Sequence, residues 1–161
     1  MSVLDKFLYD LPSTLIYGIG NVARQDDGLG WAFIDRLKAI RYYKKLNMHR
    51  FYQLNIEDSE LISRKERVLF VDAYKGDDFE HFKISRVEAT NMPSFTSHAM
   101  SAESVLATCE SLYNKYPECY YLAIRGYEWG LQEGLTKRAR ANLDAAMNAI
   151  FTPDRIELIG A

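Results

Sequence analysis

The chain opens its first clearly structured stretch with Thr14-Leu15-Ile16-Tyr17, an apolar run that passes straight into Gly18-Ile19-Gly20-Asn21-Val22-Ala23-Arg24-Gln25-Asp26-Asp27-Gly28-Leu29-Gly30. Trp31-Ala32-Phe33-Ile34-Asp35-Arg36-Leu37 follows with apolar residues at helical spacing. A buried strand, a glycine loop and a helix in immediate succession form half of a strand–helix–strand unit, and that unit commits a chain to an α/β sheet. In such sheets ligands bind in the crevice outside the carboxyl ends of the strands. The loop also carries two adjacent carboxylates, the groups that hold cations.

Periodicity extends the pattern along the chain. It predicts a strand over Thr14 to Ile19, a helix from Leu29 to Lys44 closed by the basic run Arg41 to Lys45, a strand over His49 to Leu54 and a short helix over Asp58 to Arg64. Arg67-Val68-Leu69-Phe70-Val71 is a continuous apolar run ending at Asp72, as in a central strand buried on both faces. Lys75 to Asp78 reads as a turn, and His81 to Ala89 alternates like an edge strand. Ser101 to Tyr116 is helical, Cys119 to Arg125 strand-like, and Thr136 to Phe151 helical. The expected architecture is a three-layer α/β/α sandwich around a mostly parallel, mixed sheet of about five strands.

The 161 residues, 48% of them hydrophobic, suit one domain, 1–161, with a core of its own. Acidic residues number 22 and basic ones 20, so no global basic field exists to collect nucleic acid. No window approaches the ~20 apolar residues of a membrane-spanning helix. Met1 to Pro12 lacks both a long hydrophobic run and a small-residue cleavage site, so a cytoplasmic protein without membrane insertion is expected. Cys109 and Cys119 match neither a metal-ligand pair nor a redox CxxC and read as reduced thiols.

Three sites converge on one rim of the expected sheet. Asp26 and Asp27 follow the first strand, Asp72 ends the third, and His98 lies in the loop Pro93 to His98 before a helix. Asp26 reads as the N-cap of the following helix. A second acid beside a sufficient cap repels it, which invites a cationic partner for Asp27. Asp27, Asp72 and His98 together form a sound donor set for a divalent transition metal. His49 and His81 lack such context, and the tyrosines, Tyr120-Tyr121 among them, read as core and surface filler. Gly18-x-Gly20-x-x-Ala23 also satisfies the dinucleotide fingerprint, with Glu57 as its ribose acid. Two carboxylates beside the phosphates repel them by several kcal/mol at ~4 Å, which disfavours that reading.

These motifs, taken together, resemble the [NiFe]-hydrogenase maturation endopeptidases. Gly18-Ile19-Gly20-Asn21, Asp26-Asp27-Gly28-Leu29-Gly30, Val71-Asp72-Ala73, Ser97-His98-Ala99-Met100-Ser101 and Gly134-Leu135-Thr136 occur in that family's order and span Leu15 to Ile150. Arg24 and Gln25 depart from it, standing where small or apolar residues are frequent, and place an Arg where it competes with a cation for Asp26. The resemblance implies a cytoplasmic protease that removes the C-terminal extension of the nickel-loaded hydrogenase large-subunit precursor. It makes Asp27, Asp72 and His98 the metal-contacting, catalytic positions, with nickel supplied by the precursor. Gly20, Asn21, Tyr127 and Trp129 border the same crevice as expected substrate contacts. A hydrogenase-assembly binding protein that does not cut, and a small nucleotide-binding α/β domain, are the competing expectations.

Overall fold

A computed structural model describes residues 13–39, 47–90 and 100–151. Its strands are β1 (Thr14–Ile19), β2 (Asn47–Phe51), β3 (Arg67–Tyr74), β4 (Phe82–Val87) and β5 (Glu118–Arg125). Its helices are α1 (Leu29–Ala39), α2 (Asp58–Ser63), α3 (Ala102–Tyr113) and α4 (Lys137–Phe151), and a 3-10 turn over Gln25–Gly28 leads into α1. The strands form one sheet in the order β2-β1-β3-β5-β4. All neighbours are parallel except β4, which runs antiparallel to β5 at the edge.

The sheet is a mixed, mostly parallel one with helices on both faces, as the apolar pattern predicts. Ile16, Leu69, Val71, Leu122 and Ile124 pack with Leu29, Phe33, Ile34 and Leu37 of α1 and with Ala139, Leu143 and Met147 of α4. On the opposite face Leu15, Tyr17, Val68, Phe70 and Cys119 pack with Ile62 of α2 and with Val105, Leu106 and Cys109 of α3. Burying each large side chain contributes about 1.5–3 kcal/mol, so Val68 to Val71, buried on both faces, hold the centre.

Several boundaries differ from the sequence expectation. β3 runs to Tyr74, two residues beyond Asp72, because β5 pairs with it through Tyr74↔Arg125. β2 pairs with β1 over Asn47–Phe51, earlier than expected, and β4 is shorter at both ends. α3 stops at Tyr113, since Asn114 adopts a left-handed conformation, φ 53°, and its N–H closes onto the Glu110 carbonyl. Ser101 caps the other end by accepting from the Ser104 N–H at 3.1 Å.

From β1 the chain moves to β2 on one side and then to β3 on the other, so the strand order reverses between β1 and β3. Their carboxyl ends define the topological switch point, where a crevice opens. The last β1–β3 pair is Gly18↔Val71, so Asp72 is the first β3 residue past the end of β1 pairing. α1 lies close over this point. A Cβ on Gly30 would stand 2.3 Å from the Ile19 carbonyl oxygen and 2.5 Å from that of Val71. Neither backbone atom has room to retreat, so Gly30→Ala is expected to cost at least ~3 kcal/mol, read as a lower midpoint in urea unfolding.

Candidate functional site

The two loop carboxylates go separate ways. Side chains on a 3-10 turn diverge by about 120° per residue, so Asp26 and Asp27 face different surroundings. Gln25, the first residue of the turn, is held left-handed at φ 48°. Its N–H donates to the Gln132 carbonyl at 2.8 Å, and its side-chain oxygen accepts from the Gly130 N–H at 3.0 Å. Those bonds offset a conformation that costs on the order of 1–3 kcal/mol in a non-glycine residue.

Asp26 is fully buried. Its Oδ2 accepts from the Tyr127 N–H at 2.7 Å, the Glu128 N–H at 3.0 Å and the Thr136 hydroxyl at 2.9 Å. Its Oδ1 accepts from the Thr136 N–H at 2.7 Å. Thr136 in turn caps α4, accepting at Oγ1 from the Ala139 N–H at 3.2 Å. The expected N-cap of α1 is therefore an acid that completes the cap of α4, satisfying the cap residue's own N–H from a distant part of the chain. This leaves Asp26 enclosed by protein donors, so the expected competition between Arg24 and a cation for it does not arise.

Asp27 turns toward the crevice. Gly20, at φ 151°, makes the bend that brings it there, and a Cβ at that position would meet the Asp27 carbonyl oxygen at 2.0 Å. The same carbonyl accepts the Asn21 N–H at 3.0 Å. Burial raises the Asp27 pKa, while the Asn21 N–H and the charges of Arg24 and Lys75 draw it back. Gly20 and Asn21 thus act on the site by shaping the loop that carries Asp27.

Asp72 enters the crevice from β3. Its Oδ1 accepts from the Ala73 N–H at 2.8 Å and its Oδ2 from the Tyr121 hydroxyl. Burial pushes its pKa up to about 6, the two hydrogen bonds oppose that shift, and the charge of Asp27 adds to it. The structure thus brings Asp27 and Asp72 within electrostatic reach of each other. Tyr121, read from sequence as filler, is the residue that orients Asp72. Strand phase puts it on the face of Ala123, the register partner of Asp72, but that register cannot be read locally.

His98 lies outside the described residues, and among the described residues no group of three metal-ligating side chains occurs. Tyr127 and Trp129 stand in the β5–α4 loop. Tyr127 is flanked by the guanidiniums of Arg138 and Arg125, 4.0 and 5.1 Å from its ring centroid, and its hydroxyl accepts from Asn142 Nδ2 at 2.9 Å. Lys75 Nζ lies 5.5 Å from the Trp129 centroid. His81, read from sequence as structural or solvated, meets Asn142 Oδ1 through Nδ1 at 2.8 Å. The dinucleotide reading loses its geometry here, because α1 begins at Leu29 and not at the glycines. Burial raises the thiol pKa of both free cysteines, which disfavours a thiolate nucleophile.

No protein-family model matches the chain, and no curated protein matches it by sequence. Solved structures do share its fold. The [NiFe] hydrogenase maturation protease HycI from Thermococcus kodakarensis aligns with TM-score 0.68 and 21% identity, covering 92% of this chain and 96% of its own. The hydrogenase maturating endopeptidase HybD from E. coli gives 0.66 and 16%, covering 88% and 91%. A hydrogenase 2 maturation peptidase from a Thaumarchaeota archaeon gives 0.63 and 19%, covering 89% and 99%. The agreement over nearly the full length of each chain establishes the common fold.

Asp26, which is buried, and Asp72, which is partly buried, should respond oppositely to substitution. Asp26→Ala strands three backbone N–H donors and is expected to cost about 4 kcal/mol or more in urea unfolding, with Asp26→Asn losing roughly half of that. Asp72 has a folded pKa above its unfolded value, so the native state binds more protons between the two and stability falls as pH rises through about 4 to 6. Asp72→Asn removes that penalty. It should raise stability at neutral pH by about 1–3 kcal/mol and leave it unchanged below about pH 4, as thermal unfolding at the two pH values will report.

Proposed function

We propose that this chain is a cytoplasmic endopeptidase that removes the C-terminal extension from the large-subunit precursor of a [NiFe] hydrogenase. The observation that carries this reading is the meeting of Asp27 and Asp72 at the β1/β3 switch point, on a fold whose solved examples include hydrogenase maturation proteases. In a purely structural crevice, a carboxylate whose charge raises the proton affinity of its neighbour is a cost. It is useful where a cation arrives.

Nickel is part of the substrate in this scheme, held by thiolates of the precursor. Asp27 and Asp72 offer oxygen donors to its open positions and His98 supplies an imidazole, a mixed set suited to a borderline dication. Bound there, the metal polarises the scissile carbonyl or lowers the pKa of a water molecule. Tyr121 holds one Asp72 oxygen and the Ala73 N–H the other, which fixes the carboxylate before the substrate docks. Proteolysis thereby depends on metal loading of the precursor.

The precursor also needs a docking face. Val22, Tyr52, Ile56 and Leu131 come from three loops at the carboxyl end of the sheet, with Tyr52 67% and Leu131 79% exposed. The Gly20 N–H to Phe51 carbonyl bond and the Arg24↔Gln132 bridge join these loops beside the crevice. Exposed apolar side chains arranged around a polar site suit a protein partner.

Incubation with nickel-loaded precursor should remove the mass of the extension, and metal-free precursor should stay intact. Equal cleavage of both forms refutes the nickel gate, and a stable complex with no mass loss identifies a binding protein. Asp27→Asn and His98→Ala are each expected to lower kcat/KM by at least ~10²-fold while the circular dichroism spectrum is retained.

A further inference from the structure

The exposed apolar face beside the crevice is broken by a cavity of about 110 Å³, which opens next to Val22 between the 3-10 turn, α1 and the segment before α4. Its apolar walls are Val22, Ala32 and Leu135, and Gly28 and Gly134 add walls without side chains. The two polar side chains on its lining, Gln25 and Asp35, face partners of their own. Gln25 Oε1 accepts from the Gly130 N–H at 3.0 Å, and Asp35 Oδ1 accepts from Arg50 Nη1 at 3.0 Å. Gly134 lies at φ 106°, and a Cβ there would meet nothing within 4 Å. Room exists for a side chain at this wall, yet the positive φ strains every residue that could bring one. The walls are also tied together. The Gln25 N–H donates to the Gln132 carbonyl at 2.8 Å, Arg24 bridges Gln132, and Asp26 takes the Thr136 N–H directly after Leu135. The cavity is thus formed before anything enters it, which removes the ordering penalty from binding.

We propose that this cavity is an anchor pocket for one branched aliphatic side chain, leucine or isoleucine, of the polypeptide presented to Asp27 and Asp72; that this polypeptide is a protease substrate rests on the endopeptidase reading. Size and chemistry select the side chain. An apolar cavity of ~150 Å³ accepts benzene, so one of about 110 Å³ takes a leucine or isoleucine side chain and excludes a phenyl ring. A polar side chain of the same shape gives up hydration that these walls do not return. Position selects the source. Gln25 and Gly28 are the first and last residues of the turn that carries Asp27, and Val22 belongs to the exposed apolar face that suits a protein partner. A chain that seats its side chain here is held against the element that carries Asp27.

The test is a methyl NMR titration of the full chain, labelled at its valine and leucine methyls, with acetylated, amidated Ala-Leu-Ala, Ala-Asn-Ala and Ala-Phe-Ala. The Val22 and Leu135 methyls report the pocket, and those of Val105, buried on the opposite face of the sheet, are the internal reference. The Leu peptide should bind at least ~10-fold more tightly than the Asn peptide, and more tightly than the Phe peptide. Ala32→Leu fills the pocket and should abolish the response to the Leu peptide. Val22→Ala widens it and should shift the preference toward the Phe peptide. No response of the Val22 and Leu135 methyls to the Leu peptide, equal affinity for the Leu and Asn peptides, tighter binding of the Phe peptide, or a response that survives Ala32→Leu overturns the pocket. Should Ala32→Leu lose its fold by circular dichroism, an unchanged preference in Val22→Ala overturns it instead. Shifts of the same methyls with protein concentration alone give the pocket to a second copy of the chain and also overturn the proposal. Cleavage of the nickel-loaded precursor, measured in parallel, separates the two readings. Cleavage without aliphatic selectivity refutes the pocket alone, and selectivity without cleavage refutes the endopeptidase reading alone.

Discussion

The Asp26 carboxylate is the interaction on which the arrangement of the site depends. It lies at 0% exposure, and its four hydrogen bonds reach Tyr127, Glu128 and Thr136. Burying an ion is costly unless every lone pair finds a donor, and here the donors are backbone amides and a hydroxyl at a helix start. The bond set closes the loop after β5 onto the loop after β1. Because Asp26 is committed inward, its neighbour on the 3-10 turn is directed outward, and Asp27 comes to face Asp72. The left-handed Gln25 and the tight bend at Gly20 follow from the same closure.

The crevice departs from what stability alone favours. Asp72 sits where burial and the charge of Asp27 oppose its ionisation, and the bond from Tyr121 and the Ala73 N–H recover only part of that cost. Asp58, a buried acid, shows the contrast. Asp58 accepts the Tyr17 hydroxyl at 2.9 Å and the Asn55 N–H at 2.7 Å, with both bonds directed to one oxygen at the start of α2 and with Tyr17 stacked on Phe51 inside the core. Burial raises the pKa of Asp58 too, yet its bonds serve the packing of a helix on the sheet. Asp72 has its bonds at the open end of a strand order that reverses beside it, which is where a polar group serves binding.

Local patterns in the sequence carried much of this architecture. The run Val68 to Val71 marks the central strand because burial on both faces requires continuous apolar residues, and the spacing of Leu29, Phe33, Ile34 and Leu37 marks the inner face of α1. The acid pair was legible as a conflict of charges, but the role of Asp26 was not, since its partners lie about a hundred residues further along the chain. An N-cap is the nearest local explanation for such an Asp, and tertiary structure supplied a different helix. Tyr121 escaped notice for a related reason: strand alternation gives its face, while only the pairing of β3 with β5 gives its neighbour. The continuation of β3 to Tyr74 likewise depends on that pairing and not on apolar character.

The Asp26 closure also sets an order of events. A ribosome releases β1 and its glycine loop early, whereas Tyr127, Glu128 and Thr136 emerge only after all five strands have been made. Until then the Asp26 carboxylate has no donors and remains hydrated, and the loop has no reason to hold Asp27 toward Asp72. Contacts of such long sequence separation form late in folding. The nascent chain therefore carries its acids unassembled, and Asp27 and Asp72 come together at the crevice only when the last quarter of the polypeptide has docked.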